Sequence, residues 1–139
     1  MYYLTTEAAF DAAHFLMGYE GKCSNIHGHR WRVILKIKSE HLQEENQERG
    51  MVVDFGEVKS ALKKEADFFD HTFIYEKDSL KPATIAALTD ENFVMRMVDY
   101  RPTAENFSKY FFDKFTEYGF EVDEVTVYET PNNCATYRA

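Results

Sequence analysis

The sequence predicts a single α+β domain in which two long helices lie on one face of an antiparallel sheet. Three observations carry this: strict two-residue alternation over residues 2–14 and again over 27–38, two later stretches whose apolar positions step by three and four, and a closing alternating run from about Val122 to Thr130. At 139 residues and 45% hydrophobic content the chain has material for one core and not for two domains.

In the first run Tyr2, Leu4, Thr6, Ala8, Phe10, Ala12 and His14 share a face. In the second, His27, His29, Trp31, Val33, Leu35 and Ile37 do the same, so a hairpin returning through Gly18 and Gly21 gathers three histidines at one end of the core. The outward residues are Arg30, Arg32, Lys36 and Lys38 on one strand and include Glu7 and Asp11 on the other, which predicts opposite charges paired across the hairpin. The charged stretch Ser39 to Arg49 is expected to be a flexible, solvated loop, with His41 an ordinary surface histidine. Met51 to Val53 is expected as a short strand. Asp54 then caps a helix that buries Phe55, Val58, Leu62, Ala66 and Phe69. Thr72 to Tyr75 is short and extended, Pro82 sits in the first turn of a small helix through Leu88, and Phe93 to Val98 forms a strand. Thr103 caps the second long helix, whose stripe is Phe107, Tyr110, Phe111, Phe115 and Tyr118 and which ends near Gly119. Unpaired sheet edges in so small a domain invite association between subunits.

A net charge of −8 argues against nonspecific nucleic-acid binding, which needs cations to displace counterions from phosphates, but leaves room for a small anionic substrate held by clustered cations. No apolar run approaches the ~20 residues of a membrane span, and the N-terminus lacks a signal-peptide layout, so a cytoplasmic location is expected. Cys23 and Cys134 lie 111 positions apart. Without an export signal Cys23 is expected to be a reduced thiol and Cys134 a small buried hydrophobe. There is no internal repeat, no linker and no glycine-rich dinucleotide fingerprint.

Three imidazoles with an open fourth position suit a catalytic zinc site. Cys23, four residues before His27, fits two roles: a nucleophilic or proton-moving thiolate beside the metal, or a fourth ligand that closes the site and makes it structural. In Asp70-His71 a carboxylate can fix the tautomer of an imidazole that shuttles protons, although a polar surface position or helix termination is the commoner reason for such a pair. Glu129 shares the inward row of Val125 and Val127 and needs a partner there, either a ligand or water at the strand end. Glu105, in the first turn of a helix, is explained by the helix dipole alone.

Phe10-Asp11-Ala12-Ala13-His14, Cys23-x-x-x-His27-Gly28-His29, Asp70-His71, Pro102-Thr103-Ala104-Glu105-Asn106 and Val127-Tyr128-Glu129-Thr130-Pro131 occur together and in order. With them the chain resembles the 6-pyruvoyl-tetrahydropterin synthase superfamily over nearly its whole length, most of all the bacterial 6-carboxy-tetrahydropterin synthase branch of queuosine biosynthesis. The resemblance implies the tunnelling fold: a four-stranded antiparallel sheet with two long helices on one face, joined with its neighbours into a β-barrel, in a homohexamer built as a dimer of trimers. It implies one zinc per subunit on His14, His27 and His29. Cys23, Asp70 and His71 become the proton-transfer group, the Asp-His pair coming from a neighbouring subunit. Glu129 becomes the residue that grips the pterin's guanidine-like edge, aided by Thr103 and Glu105.

The implied reaction converts 7,8-dihydroneopterin triphosphate to 6-carboxy-5,6,7,8-tetrahydropterin, acetaldehyde and triphosphate. The triphosphate calls for cations, for which Lys22, Arg30, Arg32, Lys36 and Lys38 are candidates. Formation of 6-pyruvoyl-tetrahydropterin uses the same motifs. An aldolase-like cleavage usually goes with a glutamate in place of the thiol, whereas Asn25-Ile26 precedes His27 here. From a different class, a noncatalytic zinc-held assembly module would use Cys23 as fourth ligand. The chain departs from the family pattern at Thr72-Phe73-Ile74-Tyr75 and at Cys134, where a tryptophan is frequent.

Overall fold

The computed structural model describes residues 1–139. The elements run β1 (Tyr2–His14), a 3-10 turn (Lys22–Ser24), β2 (His27–Ser39), α1 (Phe55–Phe69), β3 (Thr72–Glu76), α2 (Pro82–Asp90), β4 (Met95–Val98), α3 (Ala104–Glu117), β5 (Val122–Thr130) and β6 (Asn133–Tyr137). They form one six-stranded sheet in the order β4-β3-β1-β2-β5-β6. The α+β class and the two long helices agree with expectation; the four-stranded, wholly antiparallel sheet does not.

The sheet is mixed because of its connections. The hairpin is antiparallel through thirteen partners from Tyr2↔Ser39 to His14↔His27. β3 follows a long helix and pairs parallel to β1 at Ala12↔Thr72 and Ala13↔Phe73, and β4 follows α2 and pairs parallel to β3. α2 carries the chain from the end of β3 back to the level of its start, so β4 runs parallel to β3. By contrast α1, following the antiparallel β2, delivers β3 to the His14 end of β1, where it runs on in the direction of β1. β6 extends the opposite edge, antiparallel to β5.

Asp54 accepts from the Gly56 N–H at 2.6 Å and Thr103 from the Asn106 N–H at 3.3 Å, so both helices start at the residues expected to cap them. Their apolar faces meet the inward row of the sheet in a core where Phe10, Trp31, Phe69, Phe107, Phe111 and Phe115 are fully buried. The rings pack edge to face and stacked, Trp31 to Phe107 at 5.0 Å and Phe10 to Phe69 at 5.6 Å between centroids. Arrangements of this kind contribute roughly 0.5–1.5 kcal/mol per pair beyond burial.

Several local expectations are corrected. Met51 to Val53 is not a strand; residues 40–54 form an excursion that folds back on itself, Gln43 donating to Met51 and Gly50 donating to Gln43 through their backbones. Phe55 and Tyr118 carry the helical period but stand at the ends of the two long helices, 55% and 40% exposed. β4 begins at Met95 and not at Phe93, and Cys134, expected to be buried, is exposed on the edge strand β6. The predicted cross-hairpin charge pairs are present, Arg30 to Asp11 at 3.1 Å and Arg32 to Glu7 at 3.0 Å. His41 is on the surface as expected.

Candidate metal centre and proton-transfer pair

The chain direction brings four element ends to one place. β1 ends at His14, β2 begins at His27, β5 ends next to Glu129, and α3 starts just after Pro102. Side-chain alternation then points His14, His27 and His29 to the helix-covered side, over the ring of Trp31, which meets His14 edge on at 4.9 Å and His29 at 5.5 Å.

The imidazoles converge through Nε2. His14 Nε2 lies 3.1 Å from His27 Nε2, and Glu129 Oε1 lies 3.3 Å from His14 Nε2 and 3.4 Å from His29 Nε2. The ligand atoms of these four residues all fall within 4.8 Å of one another. Two tautomers are set by the backbone: His14 Nδ1 donates to the Pro102 carbonyl and His27 Nδ1 to the Asn25 carbonyl, each at 2.7 Å. A carbonyl only accepts, so in a neutral ring the proton is on Nδ1 and the lone pair on Nε2.

His14 and His27 therefore face each other with lone pairs at 3.1 Å, and His29 Nε2 is buried without a hydrogen-bond partner. Neutral rings in this arrangement repel; a cation between them reverses the sign. Burial pushes His29 below the ordinary imidazole range, which the Glu129 carboxylate opposes and the neighbouring His14 and His27 reinforce. Glu129 is held below the usual carboxylate range, first by its contact with His14 and against its own partial burial. A zinc ion with Zn–N near 2.0–2.1 Å in tetrahedral geometry sets its ligand atoms roughly 3.3–3.4 Å apart. The observed 3.1, 3.3 and 3.4 Å match that edge, so the residues fit a divalent metal.

Glu129 is brought in by a β-bulge: Tyr128 pairs Cys134 and Thr130 pairs Asn133, leaving Glu129 without a cross-strand partner. Cys23 sits half-buried in the 3-10 turn, its carbonyl accepting from the Leu16 N–H, and is not part of the four-residue set. The place that the structural-module alternative gives to the Cys23 thiol is held by the Glu129 carboxylate.

Asp70 and His71 follow the end of α1. His71 Nδ1 lies 2.8 Å from Asp70 Oδ2, Asp70 Oδ1 accepts from the Asp11 N–H at 2.9 Å, and the His71 N–H donates to the Asp11 carbonyl at 2.7 Å. The pair is thus clamped to the edge of β1. His71 holds a left-handed φ of 55°, a conformation that costs a non-glycine residue of order 1–3 kcal/mol and collects at functional sites. The backbone bond from Asp11 and then the bond to His71 lower the Asp70 carboxyl, and the Asp70 hydrogen bond raises His71. The His71 side chain is 79% exposed and borders a cavity of about 400 Å³ shared with Asp11, Gly28, His29 and Arg30.

Thr103 and Glu105 stand at the start of α3, the former as its cap and the latter solvent-exposed. Of the candidate phosphate cations, Arg30 and Arg32 are paired with Asp11 and Glu7, and Lys36 and Lys38 approach Asp123 at 3.7 and 3.8 Å. Three contributors went unanticipated: the Pro102 and Asn25 carbonyls and the Trp31 ring. Backbone carbonyls leave no mark in a sequence; Trp31, two residues beyond His29 on the same face, did.

A family model described as 6-pyruvoyl tetrahydropterin synthase matches residues 3–139. The chain is 32% identical over 141 residues to the 6-carboxy-5,6,7,8-tetrahydropterin synthase of Haemophilus influenzae, covering 99% of each. Among solved structures it superposes on an uncharacterized protein from Wolinella succinogenes with a TM-score of 0.83 at 22% identity, covering 99% of this chain and 97% of that one. The Plasmodium vivax 6-pyruvoyltetrahydropterin synthase superposes at 0.71 and 20% identity, with the same coverage.

Proposed function

The chain belongs to the 6-pyruvoyl tetrahydropterin synthase family, and from that premise we propose that it is a zinc-dependent 6-carboxy-5,6,7,8-tetrahydropterin synthase. The substrate in this reading is 7,8-dihydroneopterin triphosphate, the products are 6-carboxy-5,6,7,8-tetrahydropterin, acetaldehyde and triphosphate, and the pathway is queuosine biosynthesis in the cytoplasm. The observation that carries it is the convergence of three imidazole nitrogens, two with backbone-fixed tautomers, in a chain matching that relative end to end.

His14, His27 and His29 would hold the metal, which supplies Lewis acidity toward the hydroxyl-bearing side chain of the substrate. The buried Trp31 and the Pro102 and Asn25 carbonyls keep the rings oriented, as outer partners of a metal site do. Cys23 and the Asp70-His71 pair move protons. Asp70 holds the His71 Nδ1 proton, leaving Nε2 to take or give one. Glu129 grips the guanidine-like edge of the pterin in a charge-assisted pairing, with Thr103 and Glu105 lending further contacts. Arg30 lines the cavity that His71 borders, which supports it as one of the cations for the triphosphate.

The exposure of the Asp-His pair supports the expectation that it serves a neighbouring subunit's site. We accordingly take the working form to be a homohexamer, a dimer of trimers in which sheets join edge to edge into a barrel. No helix is long and apolar enough to cross a membrane.

The sister activity, formation of 6-pyruvoyl-tetrahydropterin, uses the same residues; the 32% identical relative, against 20% for the solved pyruvoyl enzyme, favours the carboxylated product. The test is anaerobic incubation of zinc-loaded protein with 7,8-dihydroneopterin triphosphate, resolving products by mass and assaying acetaldehyde, with Cys23→Ala alongside. Acetaldehyde and a carboxylated tetrahydropterin, lost in the variant, are expected. A pyruvoyl product moves the assignment to the sister activity, and no turnover with metal bound refutes both.

A further inference from the structure

We propose that Glu129 is a displaceable fourth metal ligand, its carboxylate closing the three-histidine site while the pterin position is empty and leaving when a pterin claims the same oxygens. The displacing ligand rests on the function proposed above; the closed state rests on geometry alone.

The His14 and His29 Nε2 atoms, at 3.3 and 3.4 Å, are the only side-chain partners of the Glu129 carboxylate. In a neutral ring, His14 Nε2 carries a lone pair and no proton, because Nδ1 holds the proton that Pro102 accepts. A carboxylate oxygen and an imidazole lone pair at that distance repel unless a positive charge lies between them. These two separations match the tetrahedral edge set by metal–ligand distances of about 2.0–2.2 Å, and all four ligand atoms lie within 4.8 Å of one another.

The same residue is built to move. It is the unpaired residue of a β-bulge, free of the ladder geometry that fixes its neighbours, and its side chain is 31% exposed although it follows an inward row ending at the fully buried Val127. Pairing with a guanidine-like edge is strongest when both carboxylate oxygens lie in the plane of the donors. With Oε1 directed at the metal that alignment is lost, so one partner excludes the other. Four protein ligands make a closed site and three leave one position open. Pterin recognition would then open the coordination position at which chemistry begins, and the pterin-free enzyme would hold its metal more tightly than three histidines can.

The test uses full-length protein loaded with Co2+ alone, read by visible absorption, then titrated with neopterin. Wild type and Glu129→Gln are expected to differ before neopterin is added, and neopterin should move the wild-type spectrum toward that of the variant. Zn2+ binding to Glu129→Gln should weaken by at least about tenfold, the lower end of the loss seen when even outer partners of a metal site are removed. Identical spectra and equal Zn2+ affinities overturn the proposal. A wild-type spectrum unchanged by neopterin that fluorescence shows to be bound makes Glu129 a permanent ligand and overturns the displacement. If fluorescence shows no neopterin binding while the spectra still differ, the pterin reading and the displacement both fall and the coordination stands.

Discussion

The metal centre and the Asp70-His71 pair are both built from histidine and carboxylate, yet one chain finishes the first and leaves the second open. The metal centre takes residues from β1, β2 and β5, sits over the buried Trp31, and has two rings aimed by backbone carbonyls. Every part comes from one chain. The Asp-His pair is held as firmly, clamped to Asp11 with His71 in a strained conformation, yet its imidazole projects into solvent. A left-handed backbone at a solvent-facing imidazole is the kind of strain that collects at functional sites. On the proposed function, the contrast teaches that one subunit suffices to hold the metal, whereas proton transfer needs what docks against it.

The largest effect should come from His27→Ala, which removes a ligand from a half-exposed position without hollowing the core. Bound metal is expected to fall to background and turnover with it, checked by elemental analysis and product assay. Retention of stoichiometric metal would break the comparison at its first term. Asp70→Asn should leave metal content unchanged while lowering turnover by about 10²- to 10⁴-fold, the usual weight of a positioned general acid or base. Loss of metal in that variant would mean that the two regions are one site within the subunit.

Mixing the two variants sharpens the contrast. If the pair serves a neighbour's metal, co-assembled His27→Ala and Asp70→Asn subunits should regain about a quarter of wild-type turnover, the share of interfaces that random pairing leaves with both good halves. No recovery in mixed assemblies, verified by tagging one variant, would place pair and metal in the same chain's site.

The smallest effect is electrostatic. His71 is raised by its hydrogen bond to Asp70, so its protonated form should persist to higher pH than in an ordinary histidine, and Asp70→Asn should bring its titration, followed by NMR, down again. The contribution of His71 to stability is fully present below the unfolded imidazole value and is lost as pH rises through its raised folded value. For Asp70, depressed by the Asp11 backbone and by His71, the contribution is present above the unfolded carboxylate value and is lost as pH falls through its lowered folded value. The window of the intact ion pair is thus widened at both ends. Equal His71 titration in wild type and Asp70→Asn would show that the contact at 2.8 Å does not persist in solution.

Much of the fold was legible because its signals are local. Alternation in β1 and β2 has period two and fixes which side chains share a face, and the caps Asp54 and Thr103 are short-range hydrogen bonds. The misses are non-local or terminal. β6 lies just past a turn and has exposed residues at Asn133, Cys134 and Thr136, so its membership in the sheet depends on the β5 edge beside it and not on its own pattern. The parallel pairing of β3 and β4 follows from where the helices deliver the chain. Phe55 and Tyr118 obey the helical period but stay exposed at the helix ends, which periodicity does not record.

The sequence alone determined that three imidazoles would share one end of one face, because a two-residue period and a hairpin leave no other outcome once the strands form. It also placed the Asp-His pair just beyond the end of a helix. Only the tertiary structure decided which atoms meet. Nδ1 of His14 was committed to the Pro102 carbonyl on a distant segment, a bulge set the Glu129 carboxylate and not the Cys23 thiol beside the three nitrogens, and His71 was turned toward solvent. Face and order are set by covalent neighbours a few residues apart, whereas ligand geometry is set by ångström-scale contacts between distant segments, such as His14 with Pro102 and with Glu129, which exist only after the whole chain has packed.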